Sequence, residues 1–273
     1  MSETRMSEAI HRPSGIHMDP RAMVSPSAKL GDGAKIGAFA IVGEDVELGD
    51  GCEVMPHAVV RGPARIGKNN VFHSFCSIGG DPQDLKYAGE RTHVVIGDGN
   101  QFREGVTVNR GTGHGCGTTT IGSHNLFMVY AHIAHDCQVG DSTVFANSAT
   151  LAGHVSVQDY ATIGAFSAVH QFCRVGRYAY VGGFTVVTQD VPPFGLVVSE
   201  RNTHCLGMNK VGLERRGFSP ERMAEIEKAF RLLLRAKLNT SQAVARMRET
   251  LKGSADVQEL IAFIEAVERG LVK

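Results

Sequence analysis

The sequence predicts an all-β solenoid followed by a small α-helical domain. The main observation is an apolar residue at every sixth position, sustained with two interruptions from Val24 to Val187. After Pro192–Pro193 the apolar spacing becomes helical instead. The composition agrees, because 32 of the 273 residues are glycine and none is tryptophan, which favours a turn-rich, repetitive scaffold.

A spacing of six fits neither an α-helix nor a heptad. It fits short strands that turn a corner every six residues and point one apolar side chain inward. Three such strands close a coil of about 18 residues, and coils stack about 4.8 Å apart. Glycine suits the tight corners. The repeat positions are Val24, Leu30, Ile36, Val42, Leu48, Val54, Val60, Ile66, Phe72, Ile78, Ile96, Phe102, Val108, Ile121, Phe127, Ile133, Val139, Phe145, Leu151, Val157, Ile163, Val169, Val175, Val181 and Val187.

Two segments interrupt the repeat. Between Ile78 and Ile96 the sequence GGDPQDLKYAGERTHVV has no apolar period, and the step from Val108 to Ile121 is more than twice the regular one. We expect both segments to leave the solenoid as loops. Loops on a rigid scaffold often carry the residues of a functional site.

The predicted domains follow from where the repeat begins and ends. The first 22 residues are polar and contain no apolar core of a signal peptide, so we expect a disordered extension. In the last domain Ser219 and Ser254 are predicted helix N-caps, and helices there would cover unpaired strand edges. The predicted ranges are 1–22 for the extension, 23–195 for the solenoid with loops near 80–95 and 109–120, and 196–273 for the helical domain.

Charge and cysteine usage exclude several classes of function. Lys+Arg and Asp+Glu both number 28, and no basic run is interleaved with aromatic residues, so we expect no nucleic-acid binding. No run approaches the roughly 20 apolar residues of a membrane span, so we expect no membrane insertion. The six cysteines include no C-x-x-C pair, which indicates reduced thiols and a cytoplasmic protein.

Four histidines fall on one side of the predicted solenoid. Ile133, Leu151 and Val169 are each separated by three repeat steps, so they stack, and the histidines nearest to them occupy the same third of three coils. His135 is followed by Asp136, a pairing that suits a general base and its orienting carboxylate. Neighbouring side chains on a strand point to opposite faces, so their contact would require a corner. The four are His132, His135, His154 and His170.

Two other interpretations of these histidines remain open. They could be ordinary, partly exposed surface residues. Three of them, completed across a subunit interface, could instead bind zinc as in the γ-class carbonic anhydrases, which share this fold. A long loop and a helical domain argue against that second interpretation, and we predict no metal site.

Seven motifs carry a family resemblance over about residues 22–273. The chain resembles the UDP-N-acetylglucosamine O-acyltransferases, hexapeptide-repeat enzymes that begin lipid A biosynthesis. The resemblance implies that the solenoid is a left-handed parallel β-helix. The motifs are QDLKYAGE at 83–90, NRGT at 109–112, YAHIAHDC at 130–137, LAGHVSV at 151–157, AVHQFCRVG at 168–176, QDVPP at 189–193 and RRGFS at 215–219.

The resemblance also implies a reaction and the residues that carry it. An (R)-3-hydroxyacyl chain would pass from acyl carrier protein to the glucosamine 3-hydroxyl of UDP-N-acetylglucosamine, without a covalent enzyme intermediate. His135 would be the general base, Asp136 would orient it, and the Gly153 N–H would stabilise the oxyanion. Gly183 would limit acyl-chain length. The implied substrate-binding residues are Gln83, Asp84, Lys86, His132, His154, His170, Gln171, Asn209, Arg215 and Arg216.

The partners implied are acyl carrier protein, UDP-N-acetylglucosamine and two further copies of the chain in a homotrimer. No cofactor is expected, because the acyl group arrives on the phosphopantetheine of acyl carrier protein. That partner is acidic, and basic residues in the helical domain could bind it. They are Arg215, Arg216, Arg222, Arg231, Arg235, Lys237, Arg246 and Arg248.

One departure and one alternative limit the assignment. Val211 stands where the family commonly has an acidic residue that contacts uracil, so a uracil contact at this position is not transferred. The alternative is a related acyltransferase that uses a 3-amino sugar nucleotide, since the same base could serve both acceptors. The N-acyltransferase of the same pathway usually carries a separate N-terminal uridine-binding domain, whereas about 22 polar residues precede the repeats here.

Overall fold

A computed structural model describes residues 15–199 and 203–273. Short strands follow one another at the predicted interval, and every pairing within the solenoid is parallel. The strands are β1 His17–Met18, β2 Met23–Val24, β3 Lys29–Leu30, β4 Lys35–Ile36, β5 Ile41–Val42, β6 Val46–Leu48, β7 Glu53–Val54, β8 Val59–Val60, β9 Ala64–Ile66, β10 Val71–Phe72, β11 Ser77–Gly80, β12 His93–Ile96, β13 Gln101–Phe102, β14 Thr107–Asn109, β15 Thr118–Ile121, β16 Leu126–Phe127, β17 His132–Ile133, β18 Gln138–Val139, β19 Val144–Phe145, β20 Thr150–Leu151, β21 Ser156–Val157, β22 Thr162–Ile163, β23 Ala168–Val169, β24 Arg174–Val175, β25 Tyr180–Val181, β26 Val186–Val187, β27 Gly195–Ser199 and β28 Thr203–Met208.

Three sheets form the faces of a triangular prism. Face A contains β1, β4 and every third strand to β25, then β27 and β28; face B runs from β2 to β26 and face C from β3 to β24. The chain passes from A to B to C in each coil, so the prism has an AB edge, a BC edge and a CA edge. This arrangement confirms the predicted solenoid fold.

Both predicted loops leave the prism at its BC edge. The first excursion, residues 81–92, connects β11 on face B to β12 on face C, and the second, residues 110–117, connects β14 to β15. Strand pairing skips over them, since Phe72 pairs with Phe102 and Phe102 with Phe127. The coils above and below the two loops therefore stack without interruption.

The interior is a column of the predicted apolar residues. Four stacked phenylalanines, Phe72, Phe102, Phe127 and Phe145, lie 4.8 to 5.1 Å apart between ring centroids, which is the spacing of the coils. Only the first coil is less protected, where Val24 and Leu30 are partly buried.

Two predicted boundaries need correction. Strand β1, His17–Met18, already pairs with β4, so the solenoid begins before residue 23. Met18 in fact continues the six-residue spacing backwards from Val24, although its side chain is exposed. At the other end, residues 196–199 and 203–208 form strands and not helices, because β27 pairs with β25 and β28 pairs antiparallel with β27. Residues 1–14 of the predicted extension lie outside the described residues.

Four helices follow the hairpin and pack against it and one another. Ser219 and Ser254 cap α2 and α4 as predicted, each accepting a hydrogen bond from a backbone N–H three residues ahead. None of the helices in the described ranges has the length and apolar character needed to cross a bilayer. They are α1 Lys210–Arg215, α2 Pro220–Leu234, α3 Thr240–Thr250 and α4 Ala255–Glu265.

Candidate active site

The BC edge carries both excursions and the four histidines that the sequence brought together. His132 lies in β17, His135 at the corner that follows it, and His154 and His170 at the same edge in the next two coils. The equivalent corner residues Asp136, His154 and Phe172 all have left-handed backbone, with φ of 59°, 62° and 65°. The register of the solenoid thus lines these side chains up along one edge.

His135 and Asp136 are in direct contact. The corner at Asp136 turns both side chains to the same side, which answers the objection that strand neighbours point apart. His135 Nδ1 lies 2.8 Å from Asp136 Oδ2. A carboxylate only accepts, so Nδ1 carries the proton, and Nε2 of the neutral ring keeps its lone pair. The side chain of His135 retains 12% exposure, while that of Asp136 is fully buried.

The second excursion surrounds the Asp136 carboxylate with donors. Thr112 donates its backbone N–H to both oxygens at 3.1 Å and its hydroxyl to Oδ2 at 2.7 Å. Gly117 N–H donates to Oδ1 at 3.1 Å, and the Cys116 thiol lies 3.4 Å from the same oxygen. Burial raises the pKa of Asp136, but the hydrogen bonds from Thr112 and His135 outweigh it, so the net pKa lies below the usual value. Asp136 is therefore a carboxylate at neutral pH.

Gly153 and His154 lie against the His135 ring. A Cβ at Gly153 would lie 2.6 Å from His135 Nε2, so only glycine lets the imidazole approach the chain here. The His154 ring meets His135 edge-on at 5.1 Å between ring centroids and stacks on Phe172 at 4.6 Å. Burial lowers the pKa of His154, and this effect outweighs the attraction of Asp136, so its neutral form is favoured.

The first excursion brings Asp84 close to His135. Asp84 Oδ2 lies 3.9 Å from His135 Nε2 and 3.1 Å from His114 Nε2 of the second excursion. The Lys86 N–H donates to Asp84 Oδ1 at 2.8 Å and lowers the pKa of that carboxyl. Gln83 and the Lys86 side chain are exposed beside it.

Arg110 fastens the first excursion to the prism. Its side chain is buried and donates to the carbonyl oxygens of Gly79 at 2.7 Å and Gly62 at 3.2 Å. The same guanidinium bonds to Asp81 and to the Tyr87 hydroxyl at the two sides of the loop. Arg110 therefore holds the ends of the loop that carries Asp84 against the prism.

The other predicted residues of this edge occupy its two ends. His132 Nδ1 lies 2.7 Å from the Thr107 hydroxyl, and burial, followed by the charge of His135, lowers the pKa of His132. His170 and Gln171 lie one coil beyond His154 and are exposed. A ligand bound at His135 would therefore meet polar groups on both sides.

The structure does not bring Asn209, Arg215 and Arg216 to the BC edge of the same chain. They line a cavity of about 690 Å³ beside the CA edge, together with Tyr160 and Tyr178. The Arg216 guanidinium lies over the Tyr160 ring at 4.5 Å, and the Asn209 side chain caps α1. Gly183 is exposed on the AB edge, where an added Cβ would make a close contact of 3.2 Å with the Ala165 carbonyl oxygen.

The sequence assigned no role to five residues of the site, two of which lie in the NRGT motif. Arg110 supports the first excursion, and the other four contact the site from the second excursion: Thr112, His114, Cys116 and Gly117. The sequence did flag the segment as a break in the repeat containing a histidine and threonines. Its contact with Asp136, 24 residues away in the case of Thr112, had no signal in the sequence.

A metal fits this arrangement poorly. In the described part of the chain, His135, Asp136 and His154 have potential ligand atoms within 4.8 Å of one another. Both oxygens of Asp136 are already engaged by Thr112, Gly117 and His135, and only two imidazoles remain. The donor set is that of a hydrogen-bonded acid–base pair.

Comparisons with known proteins by sequence and by structure point to one enzyme family. A family model described as the second domain of UDP-N-acetylglucosamine O-acyltransferase matches residues 190–272, and the bacterial transferase hexapeptide model matches 27–62 and 45–80. The chain is 49% identical to the acyl-[acyl-carrier-protein]–UDP-N-acetylglucosamine O-acyltransferase of Stenotrophomonas maltophilia, covering 93% of this chain and 97% of that one. The corresponding enzyme of Xylella fastidiosa is 48% identical with the same coverage.

Solved structures agree in fold over nearly the whole chain. The UDP-N-acetylglucosamine O-acyltransferase of Moraxella catarrhalis superposes with a TM-score of 0.90 at 39% identity, covering 95% of this chain and all of that one. The Francisella novicida enzyme gives 0.90 at 38% identity, covering 94% and 93%. The chain therefore belongs to the family of acyl-[acyl-carrier-protein]–UDP-N-acetylglucosamine O-acyltransferases.

Proposed function

We propose that this chain transfers an (R)-3-hydroxyacyl group from acyl carrier protein to the glucosamine 3-hydroxyl of UDP-N-acetylglucosamine, the first step of lipid A biosynthesis. Family membership supports the substrates. The observation that carries the chemistry is the His135–Asp136 pair, whose Nδ1–Oδ2 contact of 2.8 Å leaves Nε2 free to accept a proton. The reaction needs no cofactor held by this chain, because the acyl group arrives already activated as a thioester.

His135 Nε2 takes the proton of the sugar 3-hydroxyl as its oxygen attacks the thioester carbonyl. Asp136 holds the ring in the productive tautomer and stabilises the imidazolium. The tetrahedral intermediate then collapses, the C–S bond breaks, and the proton passes from Nε2 to the departing phosphopantetheine sulfur. General-base assistance of this kind typically contributes roughly a hundred- to ten-thousandfold.

We assign the Gly153 N–H as the hydrogen-bond donor that stabilises the oxyanion of the intermediate. Within residues 15–199 and 203–273 this N–H donates to no backbone carbonyl, and the His135 ring lies directly against Gly153. One such donor is typically worth about 3 kcal/mol of barrier. His154, kept neutral by burial, and Asp84 are proposed to hold the sugar hydroxyls, with Gln83, Lys86, His132, His170 and Gln171 contacting the rest of the sugar nucleotide.

The nucleotide end of the substrate requires a second copy of the chain. In one chain Arg215 and Arg216 lie beside the CA edge and His135 at the BC edge, so we propose a homotrimer in which a neighbouring subunit contributes Asn209, Arg215 and Arg216. Phe166 and Phe184, stacked on one another and more than half exposed on the AB edge, are available for packing between subunits. Guanidinium groups suit a diphosphate.

Acyl carrier protein is proposed to dock on the helical domain. A groove between α2 and α3 has an apolar floor that includes Leu232 and Leu251, and a basic rim of Lys228, Arg231, Arg235 and Arg246. Such a groove complements an acidic partner.

The docking proposal is tested by reversing the charge of the rim. The paired substitution Arg231→Glu and Arg235→Glu should raise KM for acyl carrier protein about tenfold and leave KM for the sugar nucleotide unchanged. As a control, Lys29→Glu on the first coil should change neither KM.

A cytoplasmic location completes the proposal. All six cysteines are unpaired, and five of them are buried, as expected in a reducing compartment.

The reaction is tested by mass spectrometry of UDP-N-acetylglucosamine incubated with a mixture of 3-hydroxyacyl carrier proteins. Wild type should give a 3-O-acylated sugar nucleotide whose mass reports the chain length. His135→Ala should give none, and the matched control His124→Ala should behave as wild type, because His124 is an exposed corner histidine on the CA edge with φ of 59°. A folded wild type that acylates only the 3-amino sugar nucleotide would contradict the acceptor assignment.

Subunit mixing tests the shared site. His135→Ala and Arg216→Ala chains, each nearly inactive alone, should recover part of the wild-type rate when co-expressed, because some mixed assemblies contain one intact site. Absence of recovery in assemblies shown by native mass spectrometry to be mixed would contradict it.

A further inference from the structure

We propose that Thr112 is a positioning residue that fixes Asp136 and, through it, the orientation of the base His135. This inference rests on the proposed function, to which it adds a residue of the second excursion. Thr112 is 24 residues from Asp136 in sequence and contacts the carboxylate with both its backbone N–H and its hydroxyl.

The contact is closed to solvent. Thr112 is fully buried and Asp136 is 3% exposed, so water cannot replace a lost hydroxyl there. The hydroxyl donates at 2.7 Å to Oδ2, the same oxygen that accepts from His135 Nδ1 at 2.8 Å. Oδ2 also accepts the Thr112 backbone N–H at 3.1 Å, so the hydroxyl and the imidazole make the two shorter of its three contacts. Hydrogen bonds to an ionised acceptor are the stronger kind. Without the hydroxyl, Oδ2 keeps only the longer Thr112 N–H contact beside that of His135, so the oxygen that orients the imidazole is held less firmly.

Glycines in the second excursion let the loop pack closely against the Asp136 carboxylate. A Cβ at Gly115 would lie 2.5 Å from Asp136 Cγ, and one at Gly111 would lie 2.1 Å from the Thr118 nitrogen. Gly117 adds a backbone donor to Oδ1 at 3.1 Å. The loop therefore approaches the carboxylate closely through its backbone and the Cys116 thiol, with Thr112 as the one hydroxyl donor to it among the described residues.

Asp136 is also held from its backbone side. Its own N–H donates to the Thr119 hydroxyl at 2.9 Å, which fixes the corner but not the carboxylate. The two threonines thus have separable tasks: Thr119 sets where the corner is, and Thr112 sets which way the carboxylate faces. A merely structural role for Thr112 would affect stability alone.

The test compares Thr112→Val, which is isosteric and keeps the backbone N–H, with Thr112→Ser, which keeps the hydroxyl. Thr112→Val should lower kcat at least about tenfold with KM within about twofold, and Thr112→Ser should restore kcat to within about threefold of wild type. The control is Thr143→Val, which removes another buried hydroxyl, bonded to Asn125 at 2.7 Å on the CA edge. That variant should keep wild-type kcat.

Two further readouts separate positioning from stability. In an Asp136→Ala background, Thr112→Val should lower kcat by less than about twofold, since residues that act through one group are not additive. In one-dimensional proton NMR of the free protein, the far-downfield resonance of the His135 Nδ1–H, assigned by its loss in His135→Ala, should vanish or move in Thr112→Val and persist in Thr112→Ser and Thr143→Val.

The outcomes are distinguishable from failure of the proposed function. An unchanged kcat in Thr112→Val, an equal loss in the Asp136→Ala background, or an unchanged NMR resonance would overturn the positioning role. If wild type acylates neither sugar nucleotide while the resonance is lost in Thr112→Val and persists in Thr112→Ser and Thr143→Val, the proposed function fails and the positioning role stands.

Discussion

The BC and CA edges of the prism are built on the same corners, yet they use polar side chains in opposite ways. At the CA edge Asn70, Asn100 and Asn125 form a buried ladder in which each amide bonds to the next coil. At the BC edge His135 Nε2 meets a carboxylate oxygen only at 3.9 Å, beyond hydrogen-bonding range. The asparagine amides of the CA edge are hydrogen-bonded within the protein, so they stabilise the stacked coils. At the BC edge His135 Nε2 makes no such hydrogen bond among the described residues, so it is available to a substrate.

Breaking the BC edge should have the largest effect on activity. Asp136→Asn places an amide NH₂ among the donors Thr112, Gly117 and His135, so the base loses its orienting acceptor. We expect kcat to fall about a hundred- to ten-thousandfold. Steady-state kinetics checks this against Asp141→Asn, a corner carboxylate on the CA edge that accepts a backbone N–H from the coil below. Equal losses in the two variants would contradict a special role for the BC edge.

Disrupting the CA edge should lower stability and leave activity unchanged. Asn100→Leu removes the partner of the Gly122 carbonyl and of the Asn125 N–H, both beneath the surface. Unpaired buried groups of this kind reduce the free energy of unfolding by about 3 kcal/mol in total, which corresponds to a fall in Tm of roughly 5–10 °C. Scanning calorimetry measures the shift, and kcat at about 25 °C should not change. A loss of kcat in the folded variant would show that the CA edge also shapes the site.

The AB edge offers an intermediate test. Gly183 lies outside the left-handed region, and an added Cβ would meet the Ala165 carbonyl oxygen at 3.2 Å, a contact that a shift of a few tenths of an ångström relieves, so Gly183→Met should fold. If Gly183 limits the acyl chain, the added side chain should shift kcat/KM towards shorter 3-hydroxyacyl donors by about tenfold, in the range of a few buried methylene groups. Competition between donors of different length, read by product mass, measures it. An unchanged product distribution would remove Gly183 from the site.

The smallest effect concerns the contact between the two excursions. His114→Ala removes the 3.1 Å contact with Asp84 and leaves His135 and Asp136 untouched. Because the pair is partly exposed, we expect KM for the sugar nucleotide to rise only about threefold, with kcat unchanged. His93→Ala, an exposed histidine of β12 on face C, serves as the control. A large fall in kcat would mean that Asp84 takes part in the chemistry.

Periodic features could be predicted from the sequence and aperiodic ones could not. Each repeat residue meets the same surroundings, so Phe72 and Phe145 were placed inside by spacing alone, and the breaks at 81–92 and 110–117 were visible as lost period. The path of each break depends on contacts with no period, such as Arg110 with the Gly79 carbonyl and Thr112 with Asp136. The His135–Asp136 contact was predicted as a role, but its feasibility depended on a corner backbone that sequence spacing does not reveal.

The skipped strand pairing has a consequence for how such a site can arise. Val54 pairs with Phe72 across an uninterrupted coil, whereas the pairs Phe72–Phe102 and Phe102–Phe127 each close a coil lengthened by one excursion. Neither insertion removes a rung from any face, because each enters at a corner. Residues can therefore be inserted or replaced at a corner of this prism without disturbing the pairing of the strands. Loops inserted at the corners of other coils could create new binding specificity in the same way.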